Sequence, residues 1–151
     1  MTMNSLKDLY LDQLQDLYSA CKSMPVVTEM GRVAKSRELA EALIAGNEGI
    51  ARGMEHLATL CSQHGVDPTG EHCKGMEGLV TEARKHALQA DFGDDDVRDA
   101  AIITQYQRLT HYAIAGYGCV RSFANRLDLD ADGGVLQECL ESTRDGDKHM
   151  T

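Results

Sequence analysis

Residues 97–118 read VRDAAIITQYQRLTHYAIAGYG. Apolar and aromatic residues recur there every three or four positions, the period of an amphipathic helix. Just upstream, Asp94-Asp95-Asp96 supplies carboxylates suited to the unpaired N–H groups and positive dipole end of a helix start. The pattern predicts one helix from this cluster to Arg126. Thr110 and Ala113 lie three residues apart on it and so share the inward face. Gly116 and Gly118 each weaken a helix interior by about 0.5–1 kcal/mol relative to Ala. They are expected to mark close approach of a neighbouring helix, within the bundle or across a dimer.

The same period extends in both directions. Leu6, Tyr10, Gln13, Leu14, Leu17, Cys21 and Met24 predict a first helix over 6–24, capped by Asn4 or Ser5 and ended by Pro25. Thr28 is a candidate cap for a short turn over 29–35. Leu39, Leu43, Ile50, Met54, Leu57 and Cys61 predict a second long helix from Ser36 to His64-Gly65, with Asp67-Pro68 in a loop. A shorter third helix is expected over 71–90 and a last one over 134–147. Between Arg126 and the last helix, Asp128, Asp130, Asp132 and Gly133-Gly134 are expected to form a turn. Their DxDxD spacing resembles the start of a calcium loop, but the twelfth position, Cys139, is not the glutamate such a loop needs. No strand pattern competes. The expectation is all-α: one domain over 1–151, a four-helix bundle with additional short helices.

Composition narrows the function classes. A net charge of −9 argues against a nucleic-acid partner, which requires clustered Lys and Arg. No apolar run approaches the roughly 20 residues that span a bilayer, and the first residues, with two acids, do not read as a signal peptide. The five cysteines, Cys21, Cys61, Cys73, Cys119 and Cys139, are odd in number and widely spaced, with no CxxC. Free, mostly buried thiols in a reducing cytoplasm are expected. Trp is absent and there are two Phe, so the core is expected to be mostly Leu, Ile, Val, Ala and Met.

Three segments carry a resemblance: LYLDQLQDLYSA (9–20), CKGMEGLVTE (73–82) and the opening stretch, with its RDAA and HYxIAxYG. Along nearly its whole length the chain resembles the YciE/YciF ferritin-like proteins. That resemblance implies a ferritin-like bundle, a dimer, a link to bacterial stress responses and di-metal ferroxidase chemistry. Such chemistry needs a Glu from each of two helices and a Glu-x-x-His from each of the other two. No acid here is followed by His three residues later. Glu82/His86 and Asp145/His149, four apart, read as surface pairs.

Carried over position by position, the resemblance places Cys21, Gly46, Gly49, Thr110, Ala113 and Thr143 where the family has metal-binding or neighbouring side chains. Glu48 should face solvent. Glu77 and Glu82 match the family without needing to be ligands. Asp147 is the retained inward acid, and His111 also matches; these two are the residual metal candidates. One carboxylate does not hold two metals, so neither iron nor manganese is expected as a cofactor. Two structural outcomes follow: the helices close in over the glycines, or a cavity remains, lined by Cys, Thr, Ala and Tyr. The leading functional expectation is a metal-free, non-catalytic structural or interaction module. The alternatives are a binding protein for a small apolar molecule and a metal-dependent oxidoreductase with a displaced site.

Overall fold

A computed structural model describes residues 2–150, and no strand occurs among them. The elements are α1 (Leu6–Lys22), α2 (Val26–Val33), α3 (Arg37–Gln63), α4 (Lys74–Ala83), which widens into a π-helical segment (Arg84–Gln89), α5 (Asp95–Arg126) and α6 (Asp130–Met150). Helix α1 packs on α3, α3 on α6, α6 on α5 and α5 on α1, which closes a four-helix square. Helices α3 and α5 occupy one diagonal and run parallel, so the connection between them must travel the length of the bundle. Helix α4 and its π-helical extension make that crossing.

Local chemistry sets the boundaries. Ser5 caps α1, its Oγ accepting from Asp8 N at 3.1 Å, while Asp8 Oδ2 accepts at 2.9 Å from the N–H of Asn4, the residue before the cap. Helix α1 ends at Lys22, two residues before the expected Met24. Pro25, fixed near helical φ, starts α2 three residues earlier than the expected turn, so Thr28 lies inside a helix and does not cap it. Asp94 caps α5, accepting from Asp96 N at 2.6 Å. Gly65, at φ +72°, closes α3 while Val66 N donates to Cys61 O at 3.0 Å.

Two boundaries differ from the sequence pattern. Helix α4 starts at Lys74, because the Cys73 thiol is its N-cap and accepts from Met76 N at 3.3 Å. The turn expected across Asp128–Gly134 shrinks to Leu127–Leu129. Asp128 takes the left-handed conformation at φ 59°, which Asp tolerates better than most residues. Asp130 and Asp132 then form the first turn of α6, where the dipole favours them.

The core stripe of α1, Tyr10, Leu14 and Leu17, is buried. Each such side chain contributes about 1.5–3 kcal/mol by leaving water. The core is less purely aliphatic than composition suggested, since Tyr10, Tyr106 and Tyr117 and four of the five cysteines are buried in it. Two carboxylates tie the helices together. Asp99, from the RDAA segment, accepts from Lys35 N at 2.8 Å and Ser36 N at 2.9 Å and so anchors the start of α3 on α5. At the opposite end Asp132 Oδ2 accepts from the Tyr10 hydroxyl at 2.9 Å and lies 2.7 Å from His64 Nε2. That oxygen joins α1, the end of α3 and the start of α6.

The two glycines of α5 separate. A methyl group at Gly116 would collide with Leu17 on α1, so this glycine permits close approach inside the bundle. Gly118 faces open space, and no helix of this chain explains it. Gly116→Ala is expected to lower stability by about 1–3 kcal/mol through overpacking, and Gly118→Ala to raise it by about 0.5–1 kcal/mol, both read by urea denaturation. By the same measurement Asp132→Ala should destabilise by about 2–3 kcal/mol, because Tyr10 and His64 lose their acceptor while buried. Asp132→Asn should lose less, since its amide oxygen still accepts from Tyr10.

Candidate binding site in the bundle interior

A cavity of about 580 Å³ lies between α1, α3, α5 and α6. All six positions singled out from the sequence, Cys21, Gly46, Gly49, Thr110, Ala113 and Thr143, border it. Helical periodicity brings them together. Gly46, Gly49 and Gly53 recur at three and four residues and form one row on α3 facing inward. Tyr106, Thr110, Ala113 and Tyr117 do the same on α5.

Two tyrosines that the sequence reading did not assign shape this space. Tyr106 reaches over Gly46, where a methyl group would collide with its hydroxyl, and Tyr117 reaches to Gly53. The space freed at Gly46 is therefore occupied by a phenol from α5 and is not void. Gly49 differs, since a methyl group there would meet only Ser142 Oγ at 3.4 Å and Arg52 at 3.7 Å. The signal for both tyrosines lay in the opening stretch: they are eleven residues apart, about three turns, on the stripe of Thr110 and Ala113.

The polar groups are mostly engaged with the protein itself. Thr143 Oγ1 donates to Cys139 O at 2.8 Å, and Thr110 Oγ1 to Gln107 O at 3.0 Å. Asp147 lies 3.4 Å from Thr110 Oγ1 and 3.5 Å from His111 Nε2. The two residual metal candidates are thus neighbours, but His111 is 60% exposed, its Nδ1 is 2.8 Å from Gln107 O, and neither residue borders the cavity. Glu48 is exposed. Glu77 pairs with His72 at 2.6 Å and Glu82 with His86 at 2.8 Å, both on the surface.

These residues do not fit a di-metal centre. Such a centre needs several carboxylates and imidazoles converging in a desolvated interior. Among the described residues no group of three or more His, Cys, Asp or Glu side chains could hold a metal ion. The cavity is bordered by the carboxylates Glu138 and Asp145 and the imidazoles His56 and His149, but these do not converge as a metal centre requires, and the six positions singled out offer only glycine, alanine, threonine and a thiol.

Burial governs the titratable groups of the wall. It pushes the Cys21 and Cys139 thiols up to about 11. The Tyr117 hydroxyl, 3.7 Å from Cys21 Sγ, is pushed well above its ordinary value by burial and then by the neighbouring Cys21 and Cys139. At neutral pH all three are protonated, and the thiols are poor nucleophiles. An unfolded thiol titrates near 9.0, so the unfolded chain releases these protons first. The stability they confer is complete below about pH 9 and lost as pH rises toward 11. Thermal melts followed by circular dichroism are expected to show Tm falling across this interval. A Cys21→Ala, Cys139→Ala variant should show a shallower fall.

Comparison with known proteins follows the same architecture. Protein YciF of Escherichia coli (strain K12) is 29% identical over 153 residues, covering 100% of this chain and 91% of that protein. The crystal structure of the E. coli stress protein YciF superposes with a TM-score of 0.90 at 27% identity, covering 98% of this chain and 93% of the other. YcfI from Rhodopseudomonas palustris, provisionally described as a structural protein, superposes with a TM-score of 0.89 at 28% identity, covering 97% and 93%. No described helix is long and apolar enough to cross a membrane. A family model described as a domain of unknown function, DUF892, matches residues 5–151, and the chain belongs to that family.

Proposed function

We propose that this protein is a non-catalytic binding protein that holds a small, largely apolar molecule inside its helical bundle. The observation that carries this reading is the cavity of about 580 Å³ bordered by Cys21, Gly46, Gly49, Thr110, Ala113 and Thr143. Its size lies within the roughly 300–1,000 Å³ of ordinary ligand sites, and its wall combines an apolar body with a few polar groups. The thiols are held protonated and no base lies against them, so the wall supplies no activated nucleophile. A purely structural role is the second reading, favoured by the description of the R. palustris relative.

Thermal-shift measurements across a panel of small aromatic and aliphatic compounds distinguish the two. Specific binding raises Tm with ligand concentration. At least one compound class is expected to stabilise the wild type but not Ala113→Leu, whose longer side chain would extend into the cavity. A panel with no concentration-dependent shift would favour the structural role. Iron analysis after Fe(II) loading is expected to give substoichiometric metal, and full di-iron occupancy would restore the oxidoreductase reading.

A further inference from the structure

The hydrogen-bonding groups that border the cavity say what kind of molecule suits it. Tyr106 is only 2% exposed, and its hydroxyl lies between Gly46 of α3 and Gly146 of α6. Among the described residues that hydroxyl has no hydrogen-bond partner, yet Tyr106 borders the cavity. The hydroxyl oxygen is not sealed from the cavity, so its O–H is free to donate to a molecule held there. Tyr117, 3% exposed, has only the long contact to Cys21 Sγ. The two threonines of the wall give their hydroxyl hydrogens to backbone carbonyls and present lone pairs only. The phenol of Tyr106 is therefore the hydroxyl of this wall left free to donate into the cavity.

That donor stays protonated. Burial, and then the carboxylate of Asp147, raise Tyr106 above its ordinary value. The same carboxylate makes this part of the interior unfavourable for an anion. The ionisable residues at the cavity edge are of both signs, Arg52 and His56 from α3 and His149 from α6 against Glu138 and Asp145 from α6, and so single out neither kind of ion.

We propose that the molecule held here is neutral and largely apolar and carries a carbonyl oxygen, as in a ketone, ester or amide, which accepts a hydrogen bond from Tyr106. This rests on the bundle interior being a binding site. The apolar part lies against Leu109, Ala113 and Ile50, and the oxygen turns toward the Tyr106 hydroxyl, between Gly46 of α3 and Gly146 of α6.

Equilibrium dialysis with three probes of one shape tests both levels of the reading. The probes are 2-acetylnaphthalene, 2-ethylnaphthalene and 2-naphthoate. The ketone is expected to bind the wild-type protein about 5-fold more tightly than the hydrocarbon, the worth of one net hydrogen bond, and more tightly than the carboxylate. Tyr106→Phe should bring the ketone to the level of the hydrocarbon and leave the hydrocarbon unchanged. Equal binding of ketone and hydrocarbon, or tighter binding of the carboxylate, overturns the ligand class and leaves the interior site standing. A ketone preference that survives Tyr106→Phe overturns the role of Tyr106. Failure of all three probes to bind overturns the interior site as well. Should Tyr106→Phe not fold, the wild-type comparison of ketone with hydrocarbon decides the class.

Discussion

One carboxylate oxygen holds three helices of this bundle at a common point. Asp132 Oδ2 accepts from Tyr10 on α1 and lies against His64 at the end of α3, while its own backbone opens α6. A buried carboxylate is tolerable only when its hydrogen bonds are made, so the three elements are locked in mutual register. Asp99 does comparable work at the other end by holding the backbone of Lys35 and Ser36 against α5. Between these two ties lies the cavity bordered by α1, α3, α5 and α6.

What surrounds that cavity follows from the cost of burying charge. A carboxylate in a desolvated interior without a cation or a hydrogen-bond donor is strongly destabilising. Cys21, Gly46, Gly49, Thr110, Ala113 and Thr143, which border the cavity, are all small or weakly polar. Glycines on α3 remove side chains, and tyrosines from α5 move over them, so the interior is partly refilled by phenols. The result is a wall with an apolar body, protonated thiols and one unengaged hydrogen-bond donor at Tyr106. That combination suits a neutral guest better than a metal ion.

Much of this was legible in the residues. Leu6 to Leu17 and Leu39 to Cys61 carry a clear 3.6-residue period, because burying one helix face is the largest favourable term available to such a segment; over Val97 to Gly118 the period is weaker, because the buried face includes Asp99, Gln105 and Thr110. Capping chemistry at Ser5, Asp94 and Gly65 was equally readable, since it depends on neighbours in sequence. Cys73 as a cap was not, because a thiol is an unusual N-cap acceptor. Asp128 to Gly134 misled for a related reason: turn-forming residues also suit a first helical turn, and only the left-handed backbone of Asp128 shows where the turn ends. The roles of Asp99 and Asp132 depend on partners 63 and 122 residues distant.

Residue order alone places the helices and the face that each one buries. These follow from periodicity and side-chain chemistry, which are local. Whether the helices would collapse over Gly46 and Gly49 or leave space was decided only by tertiary structure. Volume is a property of four elements at once: Tyr106 fills the space at Gly46, nothing fills the space beside Gly49 and Ala113, and the ends are pinned by carboxylates from elsewhere in the chain. No single helix encodes that balance.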